Sequence, residues 1–179
     1  MKSLVMILGQ KKRVVLLGIL MMVNIAMFSL PGLPVNNAKV TQAAPEAKIP
    51  DMQFLYSSDD VYDFLTLIGP EGRQAYQRMH LTTDLAFPII YGFFLFSITS
   101  YLLLKIGIHQ FFITLFSFFA AGFDLAENFT LIYITNRFPN FFPGFVNLAR
   151  IFTMAKFSFM FVSFLIIGFL FVKKLRRPS

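Results

Sequence analysis

Five ionisable residues fall within or beside long apolar stretches of this chain: Asp84, Asp124, Glu127, Arg150 and Lys156. An unpaired charge in hydrocarbon costs at least ~2.5–3.5 kcal/mol, so these groups must pair, reach water or become neutral. A carboxyl group placed there could serve as a general acid or base, and a neighbouring Lys or Arg could stabilise an anion. The same residues could instead form a buried ion-pair network that holds helices in register, or line an ion or proton path.

The spacing of the polar residues places them on single helical faces. Asp124, Glu127 and Asn128 follow an i, i+3, i+4 pattern. On the apolar stretch before them, a histidine, an acid and a tyrosine lie within about 40° of one another at about 100° per residue. On the stretch after them, the basic residues form a broader band. We therefore predict one polar cluster near the outer face, composed of Asp84, Asp124, Glu127, Asn128, Arg150, Lys156, His80 and Tyr91.

The depth of each residue predicts which charges pair. Counting about 1.5 Å per residue from the inner ends of the helices, Lys156 lies level with Asp124 and Glu127. By the same count Arg150 lies level with Asp84. We therefore predict that Lys156 pairs with the two acids at its depth, and that Arg150 pairs with Asp84 or Glu127. Three acids face two bases, so one carboxyl group needs the nearby histidine as its cation or stays protonated.

Several kinds of chemistry have no matching pattern in the sequence. The chain has no Cys, which excludes disulfides, thiolate metal sites and thiol catalysis. His80 and His109 are predicted on opposite sides of the membrane, so a two-histidine metal site is not expected. The sequence contains neither a Gly-x-Ser-x-Gly nucleophile motif nor a phosphate-binding glycine loop. We therefore predict no metal and no cofactor.

The composition indicates a membrane protein. Hydrophobic residues make up 56% of the 179 residues, against about 45–50% in soluble domains. The net charge is +7, but basic residues cluster beside apolar blocks, and all nine acids lie between Glu46 and Glu127. Separation of charge by the two sides of a membrane explains this distribution better than a DNA-binding face. No nucleic-acid partner is therefore expected.

These patterns predict an all-α integral membrane protein: a four-transmembrane-helix bundle with one short amphipathic interfacial helix on the outer side. The predicted order is a basic cytoplasmic N terminus (1–13), a transmembrane helix (14–30), an extracytoplasmic linker (31–56), the interfacial helix (57–69), an outer helix continuing into the second transmembrane helix (70–106), the third (111–134), an outer loop (136–147), the fourth (148–172) and a basic cytoplasmic tail (173–179).

Local signals refine this order. Ser57 and Asp60 form a capping box for the interfacial helix, which is expected to lie on the membrane surface. Pro88 kinks the second span unless a neighbour satisfies the carbonyl that it frees. The first apolar segment could also be a signal peptide, cut after Ala38 or within residues 41–44.

Four spans with acids in their outer half, here Asp84, Asp124 and Glu127, resemble the emopamil-binding and sigma-2-receptor family of sterol isomerases and sterol-binding proteins. The resemblance covers isolated positions, and the chain departs from the family in its long outer segment and its lack of Trp. It implies only that a cavity of this kind can hold a lipid-like ligand.

The sequence thus predicts a small multi-pass membrane protein that binds a partner or a hydrophobic ligand without catalysing a reaction. Two alternatives stay open: a lipid- or isoprenoid-modifying enzyme with Asp124 or Glu127 as acid or base, and a small oligomeric transporter or channel. The expected partners are the lipid bilayer and either a lipid-like ligand or another membrane protein. The expected location is a plasma (inner) membrane, with both termini in the cytoplasm.

Overall fold

The computed structural model describes residues 1–29, 40, 48–140 and 143–176, and every regular element in these ranges is helical. The elements are α1 (Lys2–Leu8), α2 (Lys11–Ser29), a 3-10 turn (Pro50–Met52), α3 (Ser58–Leu67), α4 (Gly69–His80), α5 (Thr83–Lys105), a second 3-10 turn (Phe111–Leu115), α6 (Phe116–Arg137) and α7 (Pro143–Leu175). The predicted all-helical class is confirmed for this part of the chain.

Three helical stretches are long and apolar enough to cross a membrane: Gly69–Lys105, Phe111–Arg137 and Pro143–Leu175. In the bundle, α5 packs against both α6 and α7, and those two pack along each other. We call the end that carries α3 the outer end and the end with Lys105 the inner end. The 33 residues of α7 measure about 50 Å at 1.5 Å per residue, more than the ~30 Å of hydrocarbon. Helix α7 is therefore longer than the hydrocarbon thickness of a bilayer.

Helix α2 runs antiparallel to α5. A Cβ at Gly18 would lie 3.2 Å from the ring of Phe94, and Asn24 donates its amide to the carbonyl of Thr83 at 3.4 Å, nearer the outer end. The remaining face of α2 exposes large apolar side chains, among them Val15, Leu16, Ile19 and Met22. The helix predicted over residues 14–30 begins earlier, at Lys11, and residue 30 lies outside the described ranges.

The inner end is more ordered than the sequence predicted. The basic segment 1–13 contains α1, whose Val5 is fully buried in an apolar cluster with Leu103 of α5. The turn after α5 uses Gly107, at φ +64°, and the N–H of Ile108 reaches back to the carbonyl of Leu103 at 3.0 Å. Such a left-handed residue closes a helix at little cost when it is glycine.

The helix predicted as interfacial is present as α3, but it packs on protein. The N–H of Asp60 donates to the Ser57 hydroxyl at 3.1 Å, and the Ser57 N–H donates to the Asp60 carboxylate at 2.7 Å, so the capping box is confirmed. Its apolar stripe of Val61, Phe64 and Leu65 is buried in one cluster with the outer ends of α4, α6 and α7. The helix thus covers apolar side chains at those ends.

The end of the predicted linker is also folded. Ile49, Pro50 and Asp51 are buried, and Pro50–Met52 forms a 3-10 turn that brings this segment against the bundle. Pro50 suits the first position of such a turn because its φ is preset and its missing N–H is not needed there. Apart from Val40, which is buried, residues 31–47 of the linker lie outside the described ranges.

Two further boundaries differ from the prediction. The helix expected over 70–106 is broken at residues 81–82, where the Thr82 hydroxyl donates to the carbonyl of Arg78 at 2.6 Å. Such a local bond competes with the helical ladder. The outer loop expected over 136–147 is shorter, because α6 continues to Arg137 and α7 begins at Pro143.

Candidate functional site

The centre of the site is one lysine between two acids of the neighbouring helix. Lys156 Nζ of α7 lies 3.2 Å from Asp124 Oδ1 and 2.5 Å from Glu127 Oε2 of α6. All three side chains are buried, and Glu127 is fully enclosed. Asp124 and Glu127 meet Lys156 together because residues three apart share a helical face. The predicted pairing of Lys156 is confirmed.

A chain of hydroxyl groups completes the coordination of Glu127. Thr153 donates to Glu127 Oε1, and the Tyr56 hydroxyl lies 3.0 Å from Thr153 Oγ1. Thr153 has one proton, so donation to Glu127 leaves Tyr56 as the donor to Thr153. Burial, then the charge of Glu127, raises the pKa of Tyr56 far above its ordinary value. Tyr56 therefore stays a hydroxyl donor at any physiological pH.

A second group of polar side chains lies beside this centre. His80 Nδ1 is 2.5 Å from Asp84 Oδ2, one helical turn away. The Tyr76 hydroxyl donates to Asp51 Oδ1 at 2.7 Å, and the rings of Tyr76 and His80 meet edge to face at 4.4 Å. The predicted histidine partner of the third acid is therefore present, since His80 contacts Asp84. Asp51 joins the group from the 3-10 turn before α3.

Asn128 satisfies the carbonyl that Pro88 frees. Pro88 lies inside α5 and has no N–H to donate to the carbonyl four residues earlier, which belongs to Asp84. The Asn128 side chain of α6 donates to that carbonyl at 3.0 Å. A neighbouring side chain was expected to satisfy this carbonyl if Pro88 was not to kink the helix, and Asn128 of the predicted cluster does so.

Arg150 does not join the cluster, so its predicted pairing with Asp84 or Glu127 is wrong. Its guanidinium donates to Asn147 Oδ1 at 3.1 Å on the exposed side of α7. The buried stripe of α7 runs through Ala149 and Thr153, and Arg150 is rotated about 100° away from Ala149. The position of Arg150 along the helix axis is level with the acids, but its position around the axis directs the side chain away from them.

Tyr91, the remaining predicted residue, is buried on α5 within electrostatic reach of Asp124. The site also contains residues that the sequence prediction missed: Asp51, Tyr56 and Tyr76. Tyr76 lies four residues before His80, so the helical period could have found it. Asp51 could not be found in this way, because it lies in a proline-rich segment without periodicity.

An apolar groove lies on the surface of α7 beside the cluster. It has a volume of about 620 Å³ and is lined by Met52, Phe54, Phe157, Ser158, Met160, Phe161 and Phe164. Residues 52–54 belong to the segment that carries Asp51, and Phe157 follows Lys156. The Lys156 ammonium also lies 5.2 Å from the centre of the Phe157 ring. We call this feature the outer groove.

The site thus combines a closed set of buried charges with an open apolar surface. The charges can hold α6, α7 and the segment before α3 together, and the outer groove can take hydrocarbon. No protein-family model matches the chain, and no curated protein or solved structure shows significant similarity to it.

Proposed function

We propose that this chain is a four-span membrane protein that binds a lipid-like ligand in the outer groove without catalysing a reaction. The observation that carries the proposal is the groove itself, about 620 Å³ of space lined mainly by phenylalanine and methionine. Ligand pockets commonly occupy about 300–1,000 Å³ and are mostly apolar. Methionine side chains are flexible, so such a wall suits hydrocarbon of variable shape.

The position of the groove favours a ligand that arrives through the bilayer. At about 1.5 Å per residue, Phe161 lies about 18 Å and Phe157 about 24 Å from Lys173, both within ~30 Å of hydrocarbon. Phe161 is 63% exposed and Phe164 is 52% exposed. Exposure of such rings at this depth gives a hydrocarbon chain access from the side, without passage through water.

The four-span topology is supported by α2. It follows α5 from end to end, and its outward face is apolar. Its first residues, Lys11, Lys12 and Arg13, lie at the same end of the bundle as Lys105 and Lys173. By the positive-inside rule this end faces the cytoplasm. We therefore infer that both termini are cytoplasmic.

Binding is favoured over catalysis by the state of the carboxyl groups. Both oxygens of Glu127 have partners, Thr153 and Lys156, and the side chain is fully buried. A general acid or base must come within hydrogen-bond reach of the substrate. The residues that line the outer groove include neither Asp124 nor Glu127. A ligand in this groove therefore meets hydrocarbon and rings and no catalytic acid.

Native mass spectrometry of the full-length protein in mild detergent tests the proposal. We expect the 20.5 kDa chain to carry a lipid adduct after incubation with a lipid extract. Ser158→Trp should fill the groove and remove the adduct. Phe164→Ala should weaken it, whereas the control Phe171→Ala should retain it, since Phe164 is 52% and Phe171 50% exposed on the same helix. A wild-type chain without adduct, or equal retention by all variants, would contradict lipid binding at this groove.

A further inference from the structure

Three side chains at the outer end have potential metal-ligand atoms close together. One oxygen each of Asp51 and Asp84 and a ring nitrogen of His80 lie within 4.8 Å of one another. All three residues are buried, and His80 is fully enclosed. They come from the 3-10 turn before α3, the last turn of α4 and the first turn of α5. A ligand held by all three would tie the outer segment to the spans.

The charges around these residues do not balance. Asp51, Asp84, Asp124 and Glu127 bring four buried carboxyl groups, and within the described residues their ion-pair partners are Lys156 and His80. If all four carboxyl groups are ionised, three negative charges are uncompensated when His80 is neutral, and two are when it is protonated. Buried charges without partners are costly enough to recruit protons or cations.

Neither nearby arginine supplies the missing charge. Arg73, on α4, donates to the carbonyl of Leu65 at 2.7 Å and covers the ring of Phe138, with 4.5 Å between the guanidinium carbon and the ring centre. Arg150 points to Asn147. Within the described residues, these two arginines therefore leave the charge of the cluster to be balanced by protons on its carboxyl groups or by a bound cation.

Two buried polar atoms of this region have no hydrogen-bond partner within the described residues. With His80 Nδ1 bound to Asp84, the other ring nitrogen, Nε2, has no hydrogen-bond partner although the ring is fully buried. The Asn128 side-chain amide donates to the Asp84 carbonyl, and the Asn128 Oδ1 atom accepts no hydrogen bond. Buried groups of this kind are rare in folded proteins, and ordered water or a bound ion commonly satisfies them.

We propose that Asp51, His80 and Asp84 bind a divalent first-row transition-metal ion, with Mn²⁺ and Zn²⁺ as the closest matches. One imidazole and two carboxylates suit these ions, whereas an all-oxygen set would favour Ca²⁺ or Mg²⁺. The ion cancels two of the three excess charges. The Tyr76 hydroxyl on Asp51 Oδ1 orients that carboxylate, as groups behind metal ligands commonly do. The sequence predicts no metal site here, because Asp51 lies far from His80 and Asp84 along the chain and outside any helical period.

The first test is the metal content of the full-length protein, purified without a metal-affinity tag. Chelated protein is then titrated with Mn²⁺ and, separately, with Zn²⁺. We expect about one bound equivalent and a higher thermal unfolding midpoint, because metal binding stabilises the folded state that holds the site. Bound Mn²⁺ should also show nitrogen coupling in pulsed electron paramagnetic resonance, the signature of a coordinating imidazole.

Matched variants locate the ion. Asp51→Asn keeps an acceptor for Tyr76 but loses a charged ligand, and we expect at least about tenfold weaker Mn²⁺ binding. Asp63→Asn, on the exposed side of α3, should bind like the wild type. His80→Gln should lose the nitrogen coupling. A wild-type chain that neither binds nor is stabilised by either ion would overturn the proposal, as would undiminished binding by Asp51→Asn. Lipid retention is measured separately, so either proposal can fail alone.

Discussion

Lys156 is the side chain on which the buried charges of the spans depend. It lies within 3.2 Å of two buried carboxylates, so its removal leaves Asp124 and Glu127 facing each other without a cation. We expect Lys156→Met to lower the free energy of unfolding by about 3–5 kcal/mol, the usual result of breaking a buried pair from one side. Unfolding in mixed micelles measures the change.

Lys105→Met is the control for this substitution, since Lys105 is an exposed lysine at the inner end of α5. Its effect should stay within about 0.5 kcal/mol, as is usual for surface positions. If the two variants lost the same stability, Lys156 would not hold an ion-pair network.

The contrast among Lys156, Arg150 and Asp51 shows what the sequence could predict about the site. Lys156 was paired correctly because both its depth and its helical phase favour Asp124 and Glu127. Arg150 was placed by depth alone, and its phase turns it to the exposed side of α7. Asp51 does not belong to a long helix, so no helical period predicts its position. That position depends on how a proline-rich segment folds back onto the bundle. The face on which a helical residue lies can thus be predicted from the sequence, whereas the path of an irregular segment that folds back onto the bundle cannot.

Pro88 of α5 and Asn128 of α6 allow a test that separates hydrogen bonding from packing. Asn128→Leu removes the donor to the Asp84 carbonyl, and an unsatisfied buried carbonyl costs about 1–3 kcal/mol. In a Pro88→Ala background the restored N–H can reach the same carbonyl, so the cost of Asn128→Leu should fall. A double-mutant cycle of unfolding free energies measures this coupling. Identical costs in both backgrounds would mean that Asn128 acts through packing alone.

The capping box at the start of α3 should make the stability of the fold depend on pH. The Ser57 hydroxyl donates to the Asp60 carboxylate at 2.7 Å, and this bond with that from the Ser57 N–H holds the pKa of Asp60 below its ordinary value. When the pKa of a carboxyl group is lower in the folded state than in the unfolded state, the group stabilises the fold at pH values above the unfolded-state pKa. That contribution is lost as the pH falls through the folded pKa. The effect is small, because Asp60 is exposed and solvent screens it.

Ser57→Ala should raise the pKa of Asp60 toward the ordinary carboxyl value and cost about 0.5–2 kcal/mol through the lost cap. A pH titration of the Asp60 carboxyl signal by nuclear magnetic resonance measures the first effect. Ser58→Ala, at the next position and outside the capping box, is the control. An Asp60 midpoint that is the same in Ser57→Ala and the wild type would exclude the capping bond as the cause.

Helix types were easier to predict than helix placement. The apolar blocks predicted the three long apolar helices, and the Ser57–Asp60 box predicted the start of α3, because helical period and capping are local properties. Helix α1 was missed because a short helix gains its stability from tertiary packing, here that of Val5 against the inner end of α5. The burial of α3 against protein was missed for the same reason, since its amphipathic pattern is equally suited to lipid and to the outer ends of α4, α6 and α7.

For the whole molecule, the inferred topology is directly testable because the chain has no native Cys. Single substitutions Ser58→Cys, Ser3→Cys and Gln110→Cys place one thiol at the outer end and two at the inner end. A membrane-impermeant maleimide should label Ser58→Cys in intact cells, and the other two only after permeabilisation. Labelling of Gln110→Cys in intact cells would show that the orientation is opposite to the one inferred. A mature chain that lacks the Ser3→Cys thiol would show that the first segment is cleaved.

The most direct measurement of ligand binding is photo-crosslinking with a diazirine-bearing phospholipid in vesicles, followed by peptide mapping. If the outer groove binds an acyl chain, labelling should concentrate on Met52, Phe54 and residues 157–164. It should be weaker on Phe171 and on the exposed face of α2, and Ser158→Trp should remove the excess. Labelling spread evenly over all lipid-facing side chains, unchanged in Ser158→Trp, would contradict a lipid-binding groove.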